Sequence, residues 1–178
     1  MSIAYVDGKL EEVRAEAKSA QDRYNSTVES INGDRSLSDE GKQVEIAQWK
    51  AATKEKVDAC RAKELAIVNT AIADREKQID AKMGNTASDI IAFRDAQDRA
   101  ERIENGEDAQ RILERALRND DSSLAGAVFR RALEAGWKAP IDTLTRVKPE
   151  IAEAVNDLAS FTKFRDNSWA RTVFYSTF

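Results

Sequence analysis

The stretch from Ser38 to Met83 constrains this chain more than any other. It contains no proline, and its single glycine, Gly41, lies in the first turn. Its apolar residues recur at helical spacing, which predicts one helix of about 45 residues, roughly 65–70 Å long. Ile46, Val57, Val68 and Ile79 repeat every 11 residues, and Trp49, Cys60 and Ala71 follow on the same face. Eleven residues in three turns keep such a seam nearly straight. The charged flanks, Lys50, Lys54, Glu55, Lys56, Asp58, Arg61, Lys63 and Glu64, read as solvated faces with i,i+4 pairs.

Before this stretch, Asp7 is placed to cap a helix ending near Ile31. Its stripe is Leu10, Val13, Ala17, Ala20, Tyr24, Thr27 and Ile31, spaced as a coiled-coil seam. Asn32-Gly33-Asp34 turns the chain, and Ser38 caps the long helix with Asp39 and Glu40 in its first turn. The short connection makes the two helices antiparallel neighbours. Residues 1–84 are thus expected to form a hairpin with unequal arms. Its seam of Ile46, Trp49, Val57, Cys60, Val68, Ile72 and Ile79 is expected to outrun the first helix. The end near Val68, Ile72 and Ile79 then needs a partner, either the C-terminal half or a second copy.

Residues 85–164 read as a bundle of short helices. Gly84 suits the end of the long helix, and Asn85 or Thr86 the start of the next. A third helix runs to about Glu104, with Ile90, Phe93, Ala96, Ala100 and Ile103 inward. Asn105-Gly106 ends it. Further helices are expected near 107–118, 122–135, 141–146 and 149–162, with Pro149 in the first turn of the last. Residues 109–117 (AQRILERAL) and 125–133 (AGAVFRRAL) resemble each other. Either a degenerate repeat or shared composition explains that. The fold class is all-α: a long unequal hairpin, a small bundle of short helices and an aromatic C-terminal tail.

The tail, 165–178, is unlike the rest. Residues 161–178 hold Phe161, Phe164, Trp169, Phe174, Tyr175 and Phe178, half of the twelve aromatics. Thr172 to Phe178 favours extended structure. Such a tail is either a lid on its own core or an extended docking segment with Trp169, Phe174, Tyr175 and Phe178 as partner-binding anchors.

Chemistry-bearing constellations are sparse. There is no histidine, which removes the commonest general base and metal ligand. The one cysteine, Cys60, lies on the seam and reads as a buried thiol. Asp95, Asp98 and Glu101 interleave with Arg94, Arg99 and Arg102 as a salt-bridged surface. Asn119 to Ser123 is oxygen-rich but lacks the glycine and terminal glutamate of a calcium loop. No enzyme, metal site or cofactor is expected. The net charge of −4 gives no global footprint for nucleic acid. Helices 107–118 and 122–135 could form a helix-turn-helix with Arg130 and Arg131. However, Leu124, Ala125, Gly126 and Ala127 occupy the positions that should read bases. No apolar run is long enough to span a membrane.

SLSDEGKQVEIAQWKAATKEKVDACR (36–61), SSLAGAVFRRALEAGW (122–137) and KPEIAEAVNDL (148–158) resemble small α-helical proteins from structural gene clusters of tailed phages of actinobacteria. The resemblance implies a virion or virion-assembly role, as scaffold, minor capsid component or head–tail adaptor. Its partners would be other virion or assembly proteins and further copies of the chain. It would act in the host cytoplasm during assembly or in the virion, and it carries over no functional residues. A small nucleic-acid-binding or regulatory protein is the alternative.

Overall fold

The computed structural model describes residues 3–83 and 90–176, and the side chains of 3–83 and 94–176. The described chain is all-α. Its helices are α1 (Ile3–Gly33), α2 (Asp39–Met83), α3 (Ile90–Glu101), α4 (Gly106–Arg118), α5 (Ser122–Ala135), α6 (Lys138–Val147), α7 (Ala152–Asp166) and α8 (Ser168–Phe174), with a 3-10 turn at Pro149–Ile151 before α7. Gly84, Asn85, Thr86 and Phe178, and the side chains of Ile90 and Phe93, lie outside the described residues. Asn105 does not end a helix but begins one. Its side chain accepts from the Asp108 amide at 2.9 Å, and Gly106 is the first residue of α4.

Two compact units share the chain, 1–73 with 160–178 and 74–159. The expected divisions at 84/85 and 164/165 differ from these. The limits of these two units fall inside α2 and α7, where no turn signal or composition shift marks them.

In the first unit, α1 and α2 (to Ala73) form the antiparallel hairpin. Lys42 Nζ donates to the Asn32 carbonyl at 3.0 Å, and Lys63 pairs with Glu16 at 3.3 Å. That register brings Tyr5 and Lys9 beside Ala66, Ile67 and Thr70 around one groove. The first helix starts at Ile3, not at Asp7, and therefore reaches farther along α2 than expected. Its buried positions, Leu10, Ala17, Tyr24 and Ile31, recur every seven residues, and Val6 extends the stripe backwards. Val68 and Ile72, which belong to this unit, are both buried. Val57 and Cys60 are buried on the seam as expected, whereas Ile46 and Trp49, nearer the turn, are only half-buried. Two helices alone cover one stripe of each other, and Trp49 completes its cover with the Arg23 guanidinium, 5.5 Å from its ring centroid.

In the second unit, Ile79 and Met83 are buried. Lys148 Nζ donates to the Lys82 carbonyl at 3.1 Å, and Arg130 pairs with Asp80. The core is built of Leu113, Phe129, Leu144 and Ile151, all fully enclosed. The likeness of α4 and α5 is structural. Asn105 and Asp121, sixteen residues apart, each cap a helix by accepting from the amide three residues on. Ala109, Leu113 and Ala116 are buried in α4, and Ala125, Phe129 and Ala132 occupy the corresponding buried places in α5. Both helices close with the same paired bonds: Asp121 N to Ala116 O (2.9 Å) with Asp120 N to Leu117 O (3.4 Å), and Trp137 N to Ala132 O (2.9 Å) with Gly136 N to Leu133 O (3.4 Å). These closures need a left-handed residue, which is Asp120 (φ 56°) in one and Gly136 (φ 70°) in the other. One capped-helix unit is used twice. Residues 124–129 of α5 are all buried, so its N-terminal half is core and not a presented reading face. Arg131 stacks over Trp137 at 5.4 Å.

Candidate functional site

The C-terminal segment folds as helix α8, not as an extended strand. Seven residues are too few for a stable helix in isolation, so tertiary bonds must hold this one. Asn167 caps its start, accepting from the Ala170 amide at 3.3 Å. At its other end Gln21 Nε2 donates to the carbonyls of Phe174 (3.4 Å) and Ser176 (3.1 Å). Arg171 and Tyr175, one turn apart, point inward.

Both reach Glu64, which is fully buried on α2. Tyr175 Oη donates to Glu64 Oε2 at 2.7 Å, and Arg171 Nε to Oε1 at 3.2 Å. From α1, Arg14 Nε donates to Oε2 at 2.9 Å and Arg14 Nη2 to Oε1 at 3.4 Å. Arg171, itself only 5% exposed, also donates to the Phe164 carbonyl (2.9 Å) and the Arg165 carbonyl (3.2 Å). A cation thus sits on the unpaired carbonyls that end α7. One guanidinium ties α2, α7 and α8 together. Arg14 lies between two aromatic rings, 5.2 Å from Phe164 and 5.4 Å from Phe174. Tyr175 also packs with Ala17, Val57 and Cys60.

The electrostatics follow from the geometry. Burial pushes the Glu64 carboxyl up, but hydrogen bonds from Arg14, Tyr175 and Arg171 outweigh it and hold it below the ordinary carboxylate value. Burial, and next the bond to Glu64, raise the Tyr175 phenol well above its usual value. Hydrogen bonding to Glu64 raises Arg14. Burial pushes the Cys60 thiol up, as suits an inert core cysteine. The cluster therefore holds an ionised carboxylate, two guanidinium cations and a neutral phenol.

The four expected anchors separate. Tyr175, 5% exposed, faces inward and joins the Glu64 cluster, the latch that holds α8. Trp169 is 77% exposed and Phe174 37% exposed, with Val173 beside them at 56%. Glu64, Arg14 and Arg171 were not expected in any site. The 11-residue repeat carried the signal: Lys42, Thr53, Glu64 and Arg75 form a third row, parallel to Val57 and Val68, in which every residue is polar. Thr53, Glu64 and Arg75 are all buried.

In the second unit a cavity of about 290 Å³ is walled by Met83, Leu117, Leu144 and Val147, with Asp120 and Lys148 among its polar lining. Among the described residues no cluster of three metal-ligating side chains occurs, and no helix is long and apolar enough to cross a membrane. No protein-family model matches the chain, and searches of curated proteins and of solved structures give no match.

Proposed function

We propose that this chain is a non-enzymatic structural or assembly protein of a tailed-phage particle, acting as scaffold, minor capsid component or head–tail adaptor. In this reading α8 fixes it to another virion or assembly protein. The observation that carries the reading is a large aromatic, Trp169, left 77% exposed on a helix that a buried ionic cluster locks in place. An ordered, exposed tryptophan with valine and phenylalanine beside it is the composition of an interface hot spot. The phage context comes from the resemblance of residues 36–61, 122–137 and 148–158. The chain would act in the host cytoplasm during assembly or in the virion, where partner-dependent packing brings copies of it together.

Particles and assembly intermediates purified from producing cells test the reading by quantitative mass spectrometry. The chain should be present at a fixed copy number. Trp169→Ala should abolish its incorporation while changing stability by less than ~0.5 kcal/mol, as for other exposed sites. Absence from every particle fraction, with retention on heparin that falls steeply with salt, would replace it with the nucleic-acid-binding alternative.

A further inference from the structure

The outward face of α8 also says what chemistry its partner carries, and this step rests on the docking role just proposed. Trp169, Ala170 and Val173 share one side of the helix and are all exposed, with the edge of Phe174 beside them. The rim of this patch is unevenly charged. On α2, Arg61 Nη2 reaches Thr172 Oγ1 at 3.4 Å, and no carboxylate pairs with Arg61 among the described residues. On α7, which precedes α8 in the chain, Lys163 is exposed, and Arg165 is bonded to Asp166 at 3.0 Å. Carboxylates of the hairpin are themselves paired: Asp58 with Lys54 (2.7 Å), Glu16 with Lys63 (3.3 Å) and Asp22 with Lys18 (3.8 Å). Glu64 is buried beneath two arginines. The cation that touches the outer side of α8, Arg61, thus gives the apolar patch a positive edge on a chain whose net charge is −4.

We infer that α8 docks an acidic amphipathic segment of a partner protein. An aliphatic or aromatic side chain of that segment packs on Trp169 and Val173, and its flanking carboxylates face Arg61 and Lys163. A second copy meeting this patch through its own α8 would oppose like charges. A nucleic acid would find few unpaired cations and an aliphatic Val173 where it needs phosphate contacts. Because the latch fixes α8 beforehand, binding does not have to order the helix.

Fluorescence anisotropy of labelled probes on the full chain tests this. The probes are an amphipathic Leu/Glu helical peptide, the matched Leu/Lys peptide and an oligothymidylate. The Leu/Glu peptide should bind at least tenfold more tightly than the Leu/Lys peptide, and its affinity should fall with salt. Trp169→Ala should weaken it at least tenfold, and Arg61→Glu several-fold, with circular dichroism unchanged in both. Equal affinity for the two peptides, no binding of the Leu/Glu peptide, indifference to Trp169→Ala, or a preference for the oligothymidylate would each overturn the inference. Particle association lost in Trp169→Ala without any peptide preference would keep the assembly role and sink only the acidic partner. Peptide preference in a chain absent from particles would do the reverse.

Discussion

The two units meet the same problem, a charged residue buried on α2, in different ways. In the second unit Arg75 is buried and pairs with Asp157 at 2.6 Å. The same unit has an apolar core of Leu113, Phe129, Leu144 and Ile151, and its helices α4 and α5 are capped at both ends. In the first unit the apolar cluster that meets Tyr175 is made of small side chains: Ala17, Val57 and Cys60 give little area to bury. There Glu64 accepts four hydrogen bonds from three side chains, Arg14 on α1 and Arg171 and Tyr175 of α8 and its cap, and this ionic cluster ties α8 to the hairpin. Ion pairs buried among small side chains add little net stability, because desolvation offsets much of the attraction, but losing one partner is costly. The cluster therefore specifies where α8 sits more than it strengthens the hairpin.

The largest expected effects break each unit through its own device. Glu64→Leu leaves Arg171 buried with only main-chain acceptors, and should destabilise by ~3–5 kcal/mol in denaturant titration. Phe129→Ala should cost a similar ~3–5 kcal/mol by opening a cavity in the second unit. The two should differ in what they release. Only the first should free α8, read as increased proteolysis after Lys163 and Arg165. Equal release by both would erase the distinction.

Acid should act through Glu64 as well. Its folded pKa lies below the ordinary ~4.3, so the unfolded chain binds the proton more readily. The resulting stabilisation is complete above that ordinary value and is lost as pH falls through the folded one. Thermal scans from pH 6 down to 3 should show a shallower decline for Glu64→Gln than for the natural chain. Tyr175 has the opposite sign: its raised pKa gives a contribution present below about pH 10 and lost only in stronger alkali.

The smallest effects sharpen the comparison within the second unit. Gly136→Ala places a side chain at φ 70° and should cost ~1 kcal/mol. Asp120→Gly relieves the equivalent position at φ 56° but adds freedom to the unfolded chain, so a net gain of ~0.5 kcal/mol is expected. Opposite signs in thermal melts are the check that one closure is used twice.

Much of the fold was legible from sequence, because strong local signals agreed with tertiary packing. The Pro-free run gave α2 its length, and Asp121 with Gly136 bracketed α5 at the expected 122–135. Pro149 opened the turn into α7. The start of α1 was obscured because Asp7 looks like a cap, although Val6 and Ile3 continue the stripe of Leu10 by one and two turns. Helix α8 was obscured because aromatic and β-branched residues favour strands locally, while Glu64 and Gln21, more than a hundred residues away in sequence, decide the outcome. Glu64 was hidden by its own charge. A glutamate among lysines on a long helix reads as solvated, and only the 11-residue row of Thr53, Glu64 and Arg75 places it inside. The unit boundaries had no local signal at all, since both cross continuous helices.

Hydrogen exchange resolved by residue tests the latch most directly. The amides of Val173, Phe174 and Tyr175 lie in the last turn of α8 and its cap, where a seven-residue helix without tertiary support would exchange freely. In the natural chain they should be strongly protected. In Glu64→Leu they should lose that protection, while the amides of α4 and α5 keep theirs. Unprotected α8 amides in the natural chain, or protection that survives Glu64→Leu, would contradict the latch and with it the presentation of Trp169.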